Sequence, residues 1–108
     1  MDVPLEIDVL EARRLLQAGE GAILLDVREP FETALCCLAG SMLIPMREIP
    51  TRFADLPTDR HLLVLCHHGG RSLRVTQFLR ANGLERVSNV AGGIDDWAER
   101  CDPTLARY

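Results

Sequence analysis

The residues best suited to chemistry lie in one short segment, Cys66-His67-His68-Gly69-Gly70-Arg71-Ser72. The segment follows the apolar run 62–65 and precedes a helical pattern, so Cys66 is expected at the carboxyl end of a buried strand. Two glycines permit a tight turn with positive φ, in which successive N–H groups face one point. The next helix adds its free amides and the positive end of its dipole, and Arg71 adds a permanent charge. All of these groups favour a negatively charged atom at Cys66.

A cysteine in such surroundings favours the thiolate, which is the nucleophilic form. A thiolate can attack the outer sulfur of a donor such as thiosulfate, because sulfite leaves as an anion and needs no proton. The resulting persulfide is also an anion, and a second nucleophile can remove its outer sulfur in a two-step cycle. The segment therefore predicts sulfur transfer through Cys66. The alternative is an inert buried cysteine at the end of a core strand.

Composition excludes several other kinds of chemistry. The 108 residues suit one domain, residues 1–108, and the formal net charge of −4 argues against nucleic acid or anionic membrane as a partner. All twelve basic residues are Arg, so Schiff-base catalysis and a phosphate-loop lysine are excluded. The four cysteines, without a secretory signal, indicate free thiols in a reducing cytoplasm. We expect neither a cofactor nor a metal.

The hydrophobic pattern predicts strands alternating with helices, and hence a parallel sheet covered on both faces. The predicted strands are 22–27, 42–44, 62–65 and 87–90. Helices are predicted from a capping box at 8–11 to Gly19, up to Leu35, within 49–56, over about 71–82, and around Trp97. Leu10 is expected to face inward from the first helix, His61 to lie at the surface, and Trp97 to fill the core. Asp26-Val27-Arg28 follows another buried strand and should therefore lie at the same sheet edge as Cys66.

Three motifs in order resemble the rhodanese family of sulfurtransferases: the loop 66–71, the Asp-Val-Arg-Glu box 26–29, and the Gly-Gly-x-x-x-Trp segment ending at Trp97. The resemblance covers nearly the whole chain. It implies an α/β fold, a single rhodanese-like domain with a central parallel five-stranded sheet and helices on both faces. The segment 102–108 is also similar to the ends of rhodanese domains fused to adenylyltransferases that activate sulfur-carrier proteins.

The same resemblance assigns roles to individual residues. Cys66 becomes the persulfide carrier and catalytic residue, and Asp26 a structural support of the loop. The substrate-binding residues that it implies are Arg71, Arg28, His67, His68, Gly69 and Gly70. From the sequence alone, Arg28 can equally be a solvated strand-end arginine, and the two histidines can bind a donor anion when protonated or point outward.

One stretch departs from the family pattern. Where Gly-His-Ile-Pro-Gly-Ala is usual, residues 36–41 carry Cys36, Cys37 and Ala39 instead. Cys36 or Cys37 can be a resolving thiol that attacks the Cys66 persulfide, or a small apolar residue that fills a turn. The second interpretation is the simpler one.

The function that we expect is transfer of sulfur from thiosulfate or a similar anion to a thiol, cyanide, or a sulfur-carrier or thioredoxin-like protein. A non-catalytic rhodanese-like binding module is one alternative, although such a module needs neither Cys66 nor Arg71. A phosphatase is another, but phosphatases of this fold place five residues between Cys and Arg, whereas four stand here. A metal site built from the cysteines and histidines lacks zinc-motif spacing.

Overall fold

A computed structural model describes residues 2–108. Within them, five strands form one sheet: β1 (Glu6–Ile7), β2 (Ile23–Asp26), β3 (Met42–Leu43), β4 (Leu62–Leu65) and β5 (Val87–Val90). The α-helices are α1 (Val9–Gln17), α2 (Pro30–Leu35), α3 (Ile49–Arg52), α4 (Gly70–Ala81) and α5 (Gly93–Arg100). Short 3-10 turns, Met46–Glu48 and Phe53–Asp55, flank α3.

All strand pairs are parallel, in the order β1-β5-β4-β2-β3, so β4 lies at the centre. Side chains alternate across each strand. Residues of α1 and α5 pack on the side that carries Leu24 and Leu63, and residues of α3 and α4 on the side that carries Leu25 and Val64. Trp97 lies in the first of these layers, 6% exposed, as predicted. The predicted α/β fold, a five-stranded parallel sheet with helices on both faces, is confirmed.

Helix α1 begins as its sequence predicts, since the Asp8 carboxylate accepts the Glu11 amide at 2.8 Å. The inward position of Leu10 was predicted wrongly: its side chain is 39% exposed. The buried residues of α1 are Val9 and Ala12, one turn apart, and Leu10 lies off that stripe.

His61 was predicted at the surface, and that prediction is wrong. His61 directly precedes the central strand β4, which lies between β2 and β5, and it is only 9% exposed. A ring nitrogen of His61 lies 2.8 Å from the Ser88 hydroxyl, and burial lowers the pKa of the imidazole. The neutral ring is therefore part of the core.

The central position of β4 fixes the place of Cys66. Because the strands are parallel, the carboxyl ends of β2 and β4 meet at one sheet edge, and Asp26 pairs in register with Leu65. Asp26, Arg28 and Cys66 therefore lie at the same sheet edge, as predicted. No helix among residues 2–108 has the length and apolar character needed to cross a membrane.

Candidate functional site

The Cys66 sulfur lies in a ring of hydrogen-bond donors at the end of β4. Its Sγ atom is 3.1 Å from the amide of Gly69, 3.4 Å from the amide of Ser72 and 3.2 Å from the Ser72 hydroxyl. The cysteine is 1% exposed. The sulfur is thus placed to accept hydrogen bonds from two backbone amides and one hydroxyl.

Two glycines with positive φ, Gly69 and Gly93, allow the loop to take this shape. Gly69, the N-cap of α4, has a φ of 110°, and Gly93 at the start of α5 has a φ of 63°. A Cβ atom on Gly93 would lie 2.4 Å from the His67 carbonyl oxygen and 2.5 Å from that of Cys66. Glycine is thus required where α5 meets the sulfur loop.

The first amides of α5 hold the outer side of the loop. The amide of Ile94 donates to the Cys66 carbonyl at 2.9 Å, and the amide of Asp95 to the His67 carbonyl at 3.1 Å. Helix amino ends carry unsatisfied N–H groups, so these bonds satisfy both helix and loop. The amino ends of α4 and α5 therefore converge on residues 66–69.

Arg71 is engaged by a buried carboxylate. Its two terminal nitrogens donate to the two oxygens of Glu32, at 2.6 and 2.9 Å, and the Glu32 side chain is 6% exposed. The hydrogen bonds from Arg71 lower the pKa of Glu32 to about 2. The same pairing raises the pKa of Arg71, so both groups are charged at neutral pH. The cation of the loop is thus neutralised internally.

Asp26 and Arg28 form a second, fully buried ion pair. The Asp26 carboxylate accepts from Arg28 Nη2 at 2.8 Å and from Arg28 Nε at 3.0 Å. Arg28 also donates to the carbonyls of Glu32 and Cys36, at 3.3 and 2.8 Å. Burial opposes the charge, but the hydrogen bonds that Arg28 donates to Asp26 and Tyr108 outweigh it and raise the pKa of Arg28. In this arrangement Arg28 braces the backbone around α2, and its guanidinium is turned to protein groups instead of a donor anion.

His67 and His68 stack on one another outside the sulfur ring, with ring centroids 3.9 Å apart. On its other face His67 stacks on Tyr108, again at 3.9 Å. Burial lowers the pKa of His67, so its ring is neutral at pH 7. His68 is 69% exposed and lies 3.9 Å from the Asp95 carboxylate.

The profile of the Rhodanese-like domain family matches residues 8–100. This chain belongs to the rhodanese-like domain family. A sulfurtransferase from Allochromatium vinosum is 35% identical over 94% of each chain. A rhodanese-related protein from Thermoplasma volcanium is 34% identical, with a TM-score of 0.83 over 91% of this chain and 94% of that one. The human single-domain sulfurtransferase TSTD1 is 29% identical, with a TM-score of 0.76 over 91% and 98%. Sulfurtransferase activity is thereby supported for this chain at the level of the family.

The other thiols of this rhodanese-like domain lie outside the sulfur ring. All four cysteines are free. Cys36 Sγ is 4.0 Å from Arg28 Nη1, Cys37 is exposed, and Cys101 Sγ is 3.7 Å from the Val9 carbonyl on the other side of the sheet. In the part of the chain that the structure describes, no three His, Cys, Asp or Glu residues are placed to share a metal ion.

Three residues that complete the site were not singled out from the sequence. Ser72 follows the loop directly, yet its hydroxyl contact to Cys66 becomes evident only once α4 is placed. Glu32 and Tyr108 lie far from the loop along the chain and reach it through tertiary packing. The only sequence signal for Glu32 is its place after Glu29-Pro30, where it closes the capping box of α2.

Proposed function

We propose that this protein carries a sulfur atom as a persulfide on Cys66, taken from thiosulfate or a similar anionic donor and passed to a thiol, cyanide or a sulfur-accepting protein. The observation that supports it best is the ring of donors from Gly69 and Ser72 around the Cys66 sulfur. Such a ring favours an anion before and after the sulfur is loaded, since both the thiolate and the persulfide carry negative charge.

The transfer needs no general base once the thiolate has formed. The thiolate attacks the outer sulfur of thiosulfate, and a new S–S bond forms on Cys66. The S–S bond of thiosulfate breaks, and its electron pair leaves with sulfite. In the second step the acceptor attacks the outer sulfur of the persulfide, and the Cys66 thiolate is the leaving group.

The outer sulfur is assigned to the amides of His67 and His68. In a trans peptide the C=O and N–H groups of one plane point in opposite directions. Because the carbonyls of Cys66 and His67 point to α5, the N–H groups of the same two planes point away from it. These amides extend the donor ring beyond the thiol sulfur, alongside the N-terminus of α4 that begins at Gly70.

Binding of the donor's sulfonate end is assigned to Arg71 and to these helix amides. Arg71 keeps 32% of its side chain in contact with solvent while it pairs with Glu32. In this assignment His67 borders the donor site as a neutral ring, and His68 borders it as an exposed ring. Asp26 and Arg28 support the loop from behind. A reducing cytoplasm is the matching compartment, because the mechanism requires Cys66 as a free thiol.

Mass spectrometry of the intact protein tests the proposal. Incubation of the reduced protein with thiosulfate should add the mass of one sulfur atom, and cyanide should remove it. Cys101→Ala, which removes a thiol on the other side of the sheet, should load like the wild type, and Cys66→Ala should not load. An unchanged wild-type mass, or equal loading of Cys66→Ala, would refute the proposal.

A further inference from the structure

The tail segment, residues 101–108, leaves α5 and returns to the sulfur loop. Arg107 donates to the Asp95 carboxylate through Nε and Nη2, at 3.1 and 3.0 Å. The Tyr108 ring lies nearly parallel to the ring of His67, with an interplanar angle of 14°. Residue 108 thus lies against the residue that follows Cys66.

The Tyr108 hydroxyl joins the two ion pairs of the site. It accepts from Arg28 Nη1 at 2.9 Å and donates to Glu32 Oε2 at 2.8 Å. Burial raises the pKa of Tyr108 to about 12, so the phenol keeps its proton and remains a donor to Glu32. Because Glu32 is the carboxylate that engages Arg71, Tyr108 helps to fix the cation of the loop.

The docked tail remains partly open to solvent. Tyr108 is 40% exposed, and Arg107 and Asp95 form a partly exposed ion pair of the kind that contributes little to stability. The sulfur itself lies on a cysteine that is 1% exposed, so any reactant must displace some neighbouring group. Tyr108 is the partly exposed aromatic residue that stacks on the loop, so its displacement toward solvent is a route by which a reactant can approach.

We propose that Tyr108 is a positioning residue that controls how donors reach Cys66. When docked, its hydroxyl holds Glu32 on Arg71 and its ring covers His67. When displaced, it uncovers His67 and removes one of the hydrogen bonds that hold Glu32 on Arg71, so Arg71 can turn more readily to the negative end of a donor. The choice of thiosulfate as that donor rests on the proposed function, whereas access to the thiol does not.

Alkylation of the reduced protein by iodoacetamide tests access without a sulfur donor. The variants are Tyr108→Phe, which keeps the ring, Tyr108→Ala, which removes it, and Thr104→Ala, a tail residue whose side chain bonds only within the tail. Peptide mapping measures the rates at Cys66 and Cys101 separately. Tyr108→Ala should speed reaction at Cys66 by at least about threefold and leave Cys101 unchanged, while Thr104→Ala should match the wild type. Equal rates at Cys66 in Tyr108→Ala and wild type would overturn the proposal, as would equal acceleration at both cysteines, which indicates general loosening.

Steady-state kinetics with thiosulfate and cyanide test the link to Arg71. Tyr108→Phe removes one charge-assisted hydrogen bond from Glu32, so the KM for thiosulfate should fall about threefold to tenfold with kcat within about twofold. A merely structural tyrosine would lower kcat or raise KM, and either result contradicts the proposal. If the wild type shows no turnover while Tyr108→Ala still exposes Cys66, the sulfurtransferase assignment fails and the control of access stands.

Discussion

Substitution of Glu32 by Gln removes one negative charge from the centre of the site and changes little else in shape. The ordinary pKa of a glutamate here is 4.5, and the contacts with Arg71, together with those from Glu29 and Tyr108, lower it to about 2. Each unit by which the pKa differs between the folded and the unfolded chain corresponds to about 1.4 kcal/mol of stability. The ionised carboxylate therefore stabilises the fold by about 3 kcal/mol at neutral pH.

The sign of the pH dependence follows from the lowered pKa. The folded protein holds the proton of Glu32 less tightly than the unfolded chain does, so the stabilisation is complete above pH 4.5 and declines as the pH falls toward 2. At pH 3, less than half of it remains. Gln does not titrate, so the free energies of unfolding of wild type and Glu32→Gln should differ by about 3 kcal/mol at pH 7 and converge in acid.

Urea unfolding of both proteins at pH 7, 5, 4 and 3, with the thiols reduced, measures this difference. Glu48→Gln is the matched control, because Glu48 pairs with Arg47 and Arg52 at the surface. That variant should cost no more than about 1 kcal/mol at any of these pH values. A gap for Glu32→Gln that is below about 1 kcal/mol at pH 7, or that stays constant down to pH 3, would refute the reasoning.

Two further predictions concern the loop. Ser72→Ala removes the hydroxyl 3.2 Å from the Cys66 sulfur and should slow alkylation of Cys66 at pH 7 about tenfold; an unchanged rate would show that the hydroxyl does not stabilise the thiolate. Gly93→Ala places a Cβ against the loop carbonyls and should cost more than about 3 kcal/mol in chemical unfolding and abolish sulfur loading. Gly83→Ala, where φ is also positive but the space is open, should cost only about 1 kcal/mol, and similar losses in both would contradict the role of the close approach.

The sheet and the sulfur loop were predictable because their signals are local. Apolar runs of four residues mark β4 and its neighbour β2, and Gly69-Gly70, which begin three residues after Cys66, mark the turn into α4. Strand β1 is not predicted, although β3 is equally short, because Glu6–Ile7 lacks an apolar run such as Met42-Leu43-Ile44, which ends at Pro45. The turns around α3 were anticipated only as one helix, and the structure divides them into three short pieces.

The partners of charged residues were less predictable. In the sequence, Arg28 lies next to residue types that are usually exposed to solvent. The sequence pattern does not show that its guanidinium is turned inward to Asp26. Glu32 meets Arg71 across 39 residues and Tyr108 across 76. Contacts at such separations depend on how α2 and the tail pack on the finished sheet, which no local pattern encodes.

The convergence of two helix amino ends has a consequence for a chain with a net charge of −4. Under the proposed function, part of the attraction on an incoming anion comes from the peptide dipoles of α4 and α5, which are fixed in the backbone and do not titrate. Counter-ions in solution screen exposed side chains far better than amides that face a buried sulfur. This part of the proposed anion binding should therefore depend little on ionic strength.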